Sequence, residues 1–234
     1  MELGAIAAIG FLVLVIFLGV YAAVHAKKRR AALEELAPQL GLRTVEPPEA
    51  ADVLPDLLFH PNGFSETPSA WGKWEVLRSR VLRAWEGSSA GRDMVLMDVS
   101  VDRWRTDMVG QRDQDSKQKQ VNVTLIRCDA GPGGPPDFLV MEHVLFKGQV
   151  RGQRSINGPE QIGEHYFLFS DAPDAELERW ITPSLRDTLG RHRLWMIASH
   201  DGVLFLARGT AQQQPDELRS FLSEAEALLS SMPR

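Results

Sequence analysis

From Leu3 to Val24 the chain runs for 22 residues without a charge or a proline, and it then meets Lys27-Lys28-Arg29-Arg30. As a helix rising about 1.5 Å per residue, such a stretch reaches about 33 Å, enough to cross a hydrocarbon core of about 30 Å. The pattern predicts one transmembrane anchor within residues 1–26, holding the lipid bilayer through residues 3–24. Its basic collar outweighs a leader that carries only Glu2, so the positive-inside bias places the C-terminal domain in the cytoplasm, at the cell inner (plasma) membrane. A cleaved signal peptide is the alternative, since Val24-His25-Ala26 offers small residues. A secretory signal, however, has a basic start, a shorter apolar stretch and no basic block after the cleavage site.

After the collar the period stays helical. Leu33, Leu36 and Leu40 fall on one face of a juxtamembrane helix over Ala31–Leu42, Pro38 is expected to kink it, and Gly41 to stop it. Glu46-Pro47-Pro48-Glu49, Pro55, Pro61-Asn62-Gly63 and Pro68 read as a linker, so residues 27–70 form the connection and 71–234 the folded domain.

The domain begins with strand patterns. Residues 74–85 read as a strand, 87–91 as a turn, and Met94–Val101 as a central strand apolar on both faces. Asp102–Gln118 is a polar excursion, expected to be a hairpin tip. Strands then follow over Val121–Cys128, Phe138–Phe146 and His165–Ser170, separated by glycine-rich loops. The last third predicts a helix over Ala175–Ile181 and a second one capped by Thr182 with Pro183 in its first turn. A hairpin about His200-Asp201-Gly202 leads to a final helix from Pro215 with an apolar face of Leu218, Phe221, Leu222, Ala225, Leu228 and Leu229. The expected class is α+β, an antiparallel sheet with helices packed on it. A small β-barrel closed by the C-terminal helix is the alternative.

Charge narrows the partners. The first 30 residues hold one acid against four bases, a net of +3, so a total of −5 leaves −8 for the rest. That sign disfavours nucleic acid, and as a whole it disfavours an anionic surface. Gly4 with Ala8, and Gly19 with Ala23, have the small-xxx-small spacing that permits weak self-association of membrane helices, although ordinary lipid-facing residues are the favoured account, Gly and Ala being common in such helices. Cys128 is the single cysteine, which excludes an intrachain disulfide and a cysteine-based zinc cluster.

No motif for catalysis, phosphate binding or metal appears, so no catalytic, cofactor or metal residues are assigned. The six histidines lack the His-Glu-x-x-His spacing of a helical zinc pair. An enzyme would have to assemble its site from dispersed groups, with Glu142, His143, Cys128 and the aspartates Asp98, Asp102 and Asp107 as material. The best contact residues are Arg103, Trp104 and Arg105, since Trp and Arg are enriched at binding hot spots and this triplet sits at the base of a polar excursion. The expected function is a protein-interaction or assembly module at the inner membrane, with a membrane-tethered enzyme as the alternative.

The layout of one apolar helix, a basic collar, a leucine-rich stretch ending in Leu40-Gly41-Leu42 and a mostly β domain with a closing hairpin and helix resembles a scattered group of uncharacterised bacterial single-pass membrane-anchored proteins. The resemblance implies a bacterial inner-membrane location and transfers no site residues.

Overall fold

The structure, a computed structural model, describes residues 2–49, 74–105, 119–131, 133–142, 160–162, 164–170, 172–209 and 212–233. For residues 2–10, 12, 13, 15, 22, 74–78, 102–105, 119–121 and 160 it describes the backbone alone. Among the described residues a nine-stranded antiparallel sheet carries four helices. Helix α1 (Glu2–Gln39) leads into β1 (Arg43–Val45), β2 (Trp74–Ser89), β3 (Arg92–Arg105), β4 (Lys119–Asp129), β5 (Phe138–Glu142), β6 (Glu160–Ile162) and β7 (Tyr166–Phe169). Helices α2 (Asp174–Trp180) and α3 (Pro183–Arg191), strands β8 (Trp195–His200) and β9 (Val203–Arg208) and helix α4 (Pro215–Ser230) complete the chain. The strand order is β1-β2-β3-β4-β9-β8-β5-β7-β6, so the sheet is open, with β1 and β6 at its edges. It does not close into the barrel held as the alternative.

Alternation along the strands sorts the core into two faces. The row Trp85, Leu96, Ile126, Leu206, Ile197, Val140 and Leu168 runs across six strand pairings on one face. Against it pack Leu33 and Ala37 of α1, Leu177 of α2, Leu185 and Leu189 of α3, and Leu218, Phe221 and Leu228 of α4. The next row, Ala84, Met97, Leu125 and Ala207, belongs to a separate buried cluster on the opposite face, to which the described helices contribute nothing. Leu96, Met97, Asp98 and Val99 are all buried, as a central strand apolar on both sides requires.

Among the described residues, no helix is long and apolar enough to cross a membrane. Residues 3–24 lie on α1, at several positions of which only the backbone is described.

The juxtamembrane helix is the last third of α1. Pro38 does not break it early, because it falls in the final turn, one residue before the helix ends. Gly41 then takes φ +71°, and the Leu42 N–H donates back to Ala37 O over 2.9 Å, the terminal bond of a Schellman motif whose apolar pair is Leu42 on Ala37. Gly87 is not part of a turn. It continues β2 opposite Met94, because Leu42 leaves it no room: a Cβ there would lie 2.6 Å from Leu42 Cδ2. The turn falls instead at Ala90 and Gly91, both with positive φ. Thr182 caps α3 by accepting the Leu185 N–H at 3.0 Å, and Asp201 and Gly202 make the hairpin turn with φ +50° and +73°. The expected strand at Phe138–Phe146 is described only through Glu142. The short strands β1 and β6, too brief for a period to register, were not expected.

The apolar face of α4 is core. Phe221 is fully buried and its ring stacks on Trp195 at 5.2 Å and 7°, whereas Leu222 is half-buried at the rim. Phe221→Ala should therefore cost about 3–5 kcal/mol and Leu222→Ala distinctly less. Urea unfolding of the full chain in detergent, followed by Trp fluorescence, measures both.

Candidate functional site

Arg29, one of the four collar residues, does not point into solvent with its neighbours. Its Nη1 lies 2.6 Å from Asp98 Oδ2 and its Nη2 3.2 Å from Asp98 Oδ1, a forked pair with a carboxylate only 2 % exposed, in the middle of β3. Nε and Nη2 also donate to the Gln213 carbonyl, at 3.2 and 2.7 Å. Thr124, beside Asp98 on β4, donates its hydroxyl to Asp98 Oδ1 at 2.9 Å and accepts the Gln213 N–H at 2.9 Å. The Gln213 amide continues the seam: its Oε1 accepts from Arg208, whose Nη1 donates to Glu224 Oε1 at 2.9 Å, and Glu224 Oε2 accepts the Trp195 indole N–H at 3.0 Å. A polar line thus runs from α1 across the sheet to α4, with its donors and acceptors matched, as a buried network must be to persist.

Arg83 stands beside this seam. Partial burial lowers its pKa from the ordinary guanidinium value; Asp98 acts against that shift, and the positive Arg29 and Arg30 add to it. Lys27, Lys28 and Arg30 remain exposed.

The groups that a dispersed enzyme site would need are held apart. Glu142 is fully buried, receives Arg193 through Nε at 2.5 Å and accepts the Leu194 N–H. It thereby fixes Leu194, an exposed leucine at φ +65°, a conformation that costs a non-glycine residue about 1–3 kcal/mol. Cys128 sits in the row Met94, Cys128, Leu204, Ser199 and Phe138, four residues along β5 from Glu142, or about 13 Å at strand rise. Its burial pushes the thiol up to about 12, so it is a small apolar core residue rather than a nucleophile. Asp98 is committed to Arg29. Asp107 and His143 lie outside the described residues.

One constellation was invisible in sequence spacing. Asp137, just before β5, brings Oδ2 within 2.7 Å of His200 Nδ1 and Oδ1 within 3.1 Å of the Asp201 N–H, across 63 residues or more. These three side chains can bring one ligand atom each within 4.8 Å of the others. Asp137 and Asp201 are exposed, however, and the bonds made are those of a clamp on the β8–β9 turn. A half-open cleft of about 470 Å³ between the β6–β7 turn and α3 is lined by His165, Tyr166, Arg186 and Arg191, with Glu164 and Asp187 opposing their charge. Tyr166, pushed up to about 12 chiefly by burial, donates its hydroxyl to the His192 carbonyl at 2.8 Å and so closes the wall.

Arg103, Trp104 and Arg105 end β3, where they pair with Val76, Glu75 and Trp74 of β2; Arg103 also pairs with Lys119 of β4. The strand thus extends four residues into the expected excursion, since Arg and Trp are tolerated in strands as readily as in loops. Residues 106–118, the rest of that excursion, lie outside the described residues.

Comparison of the chain with protein-family models, curated proteins and solved structures finds no match. The site therefore has to be argued from its own geometry.

Removing Arg29 leaves Asp98 buried without its cation, and breaking one side of such a pair typically costs about 3–5 kcal/mol, whereas replacing both partners by apolar groups is often neutral. Arg29→Met should destabilise the full chain strongly, and Arg29→Met with Asp98→Leu should recover most of the loss. Urea unfolding of the two single variants and the double variant gives the coupling directly.

Proposed function

We propose that this chain is a single-pass inner-membrane protein, residues 3–24 crossing the bilayer and the domain lying in the cytoplasm, that serves as a protein-interaction or assembly module. The observation that carries this reading is the Arg29–Asp98 lock. It sits five residues after Val24, so an anchor and a binding domain joined there turn as one body instead of trailing on a tether. A membrane enzyme acting on soluble substrates gains nothing from such a joint, whereas an assembly module gains a fixed height and orientation. The groups available to a dispersed active site add support, because Glu142, Cys128 and Asp98 are each used in holding the fold.

Topology is tested with a C-terminal tag on the full chain. Protease added to intact spheroplasts should leave the tag untouched and remove it after lysis. Loss of the tag from outside, or a mature chain beginning near Lys27, defeats the proposal.

Arg103, Trp104 and Arg105 are the contact residues of the proposal, at the far end of β3 from the β2–β3 turn. Replacing all three with alanine should change stability by no more than a surface change, about 0.5 kcal/mol per position, while reducing proximity labelling of specific neighbours in the native membrane. A large fall in melting temperature would show that they are core and withdraw them as a contact site.

A further inference from the structure

The lock also sets which end of the sheet faces the bilayer. Leu42, at the end of α1, lies against Gly87, opposite Met94, while Arg29 lies on Asp98. Going back along α1 toward the apolar segment is therefore going forward along β3, from Met94 through Asp98 to Arg105. Arg29 stands about 7 Å above the last apolar residue at helical rise, about the depth of one headgroup layer. The strand past Asp98 continues in that same direction, Arg103 lying about 16 Å further along it at about 3.3 Å per residue.

The residues at that end are net positive. Segments 74–83, 99–105 and 119–123 hold Glu75 and Asp102 against six basic residues, a net of +4, within a chain whose residues after Arg30 sum to −8. The described side chains there include exposed Arg80 and half-buried Arg83, the latter near enough to Arg29 and Arg30 of α1 to feel their charge. Between Arg80 and Arg83, Leu82 falls where the β2–β3 register shifts, has no partner in β3, and is 39 % exposed. Beyond Ala84, β2 has no partner on its outer side among the described residues, because β1 pairs only with residues 84–86. An exposed leucine among arginines on an open strand edge, at headgroup height, is the composition of an interfacial contact.

We infer that this face of β2, with Leu82 at its centre and Arg80 and Arg83 beside it, rests on anionic lipid headgroups and holds the domain down on the membrane. The inference rests on the anchor reading proposed above. It departs from the expectation drawn from total charge, because the acidic residues that set that total lie largely outside these segments. Positions 103–105 lie beyond Leu82 toward the same end of the sheet, so a partner touching them would itself sit close to the membrane surface.

The full chain, reconstituted in nanodiscs of phosphatidylcholine alone or mixed with phosphatidylglycerol, tests this by spin-label accessibility. Cys128 is buried and does not compete for the label. Labels are placed singly by Leu14→Cys in the apolar segment, Leu82→Cys, and Asp93→Cys at the opposite end of β3. With the anionic lipid, the label at 82 should be shielded from a water-soluble nickel relaxant at least about fivefold relative to 93, the weight of one basic residue at such a surface. The shielding should shrink in phosphatidylcholine alone and on adding Arg80→Glu. A label at 14 inside lipid with 82 as nickel-accessible as 93 overturns the inference and leaves the anchor standing. Shielding at 82 indifferent to lipid charge and to Arg80→Glu overturns it as well, since protein then does the covering. A label at 14 open to nickel overturns both.

Discussion

The pair between Arg29 and Asp98 is the constraint on which the arrangement depends. A carboxylate 2 % exposed in the central strand of a sheet is costly to desolvate, and it is tolerated only because the guanidinium fork and the Thr124 hydroxyl meet it there. A pair of matched apolar residues would hold α1 to the sheet about as well. What the ion pair adds is register: with Arg29 on Asp98, Leu33, Ala37 and Leu42 fall in turn onto the apolar face. Sliding the helix by one turn would strand a buried charge, whereas an all-leucine seam would slide with little penalty.

The same pair organises the other helices. Gln213 closes onto Arg29 and Thr124 immediately before α4 begins, and its side chain passes the network to Arg208 and Glu224. Helix α4 is thereby aligned with its apolar stripe on the sheet, Phe221 against Trp195. The polar seam and the apolar cluster do different work. Burial of Leu218, Phe221, Leu228 and Leu229 supplies the driving force, and the seam selects one arrangement among the many that would bury them.

What was legible in the sequence was whatever is decided locally. Asp201-Gly202 demands a hairpin because both residues need positive φ, and Thr182-Pro183 announces a helix start because the cap and the first turn are adjacent. The alternation at Met94–Val101 was legible as a central strand for the same reason. Gly87 was misleading: its glycine character answers to Leu42, 45 residues away, and not to a turn. β1 is only three residues long and is held by pairing to residues 84–86, so no period could reveal it. Arg29 read as one more collar charge, since its partners are 69 and 184 residues distant. The Asp137 clamp on His200 was hidden in the same way. Local chemistry spells elements, and sites made by tertiary contact have no spelling.

If residues 3–24 are the anchor proposed above, Arg29 has two roles that follow one another in time. While a nascent chain is inserting, the domain has not folded, and Arg29 counts with Lys27, Lys28 and Arg30 toward the bias that orients an apolar segment. Once the sheet forms, Asp98 draws Arg29 out of solvent, and the exposed positive charge of the collar falls by one. Arg83 of β2 then stands close enough to Arg30 to feel its charge. On the anchor proposed above, orientation and domain placement would draw on the same four-residue block, which could not then be exchanged freely. Lysine at position 29 would keep the charge that orients the helix, but a single ammonium cannot reproduce the forked contact with Asp98 and the simultaneous bonds to Gln213. The distinction between a charge that orients and a fork that docks is what makes this position unlike its three neighbours.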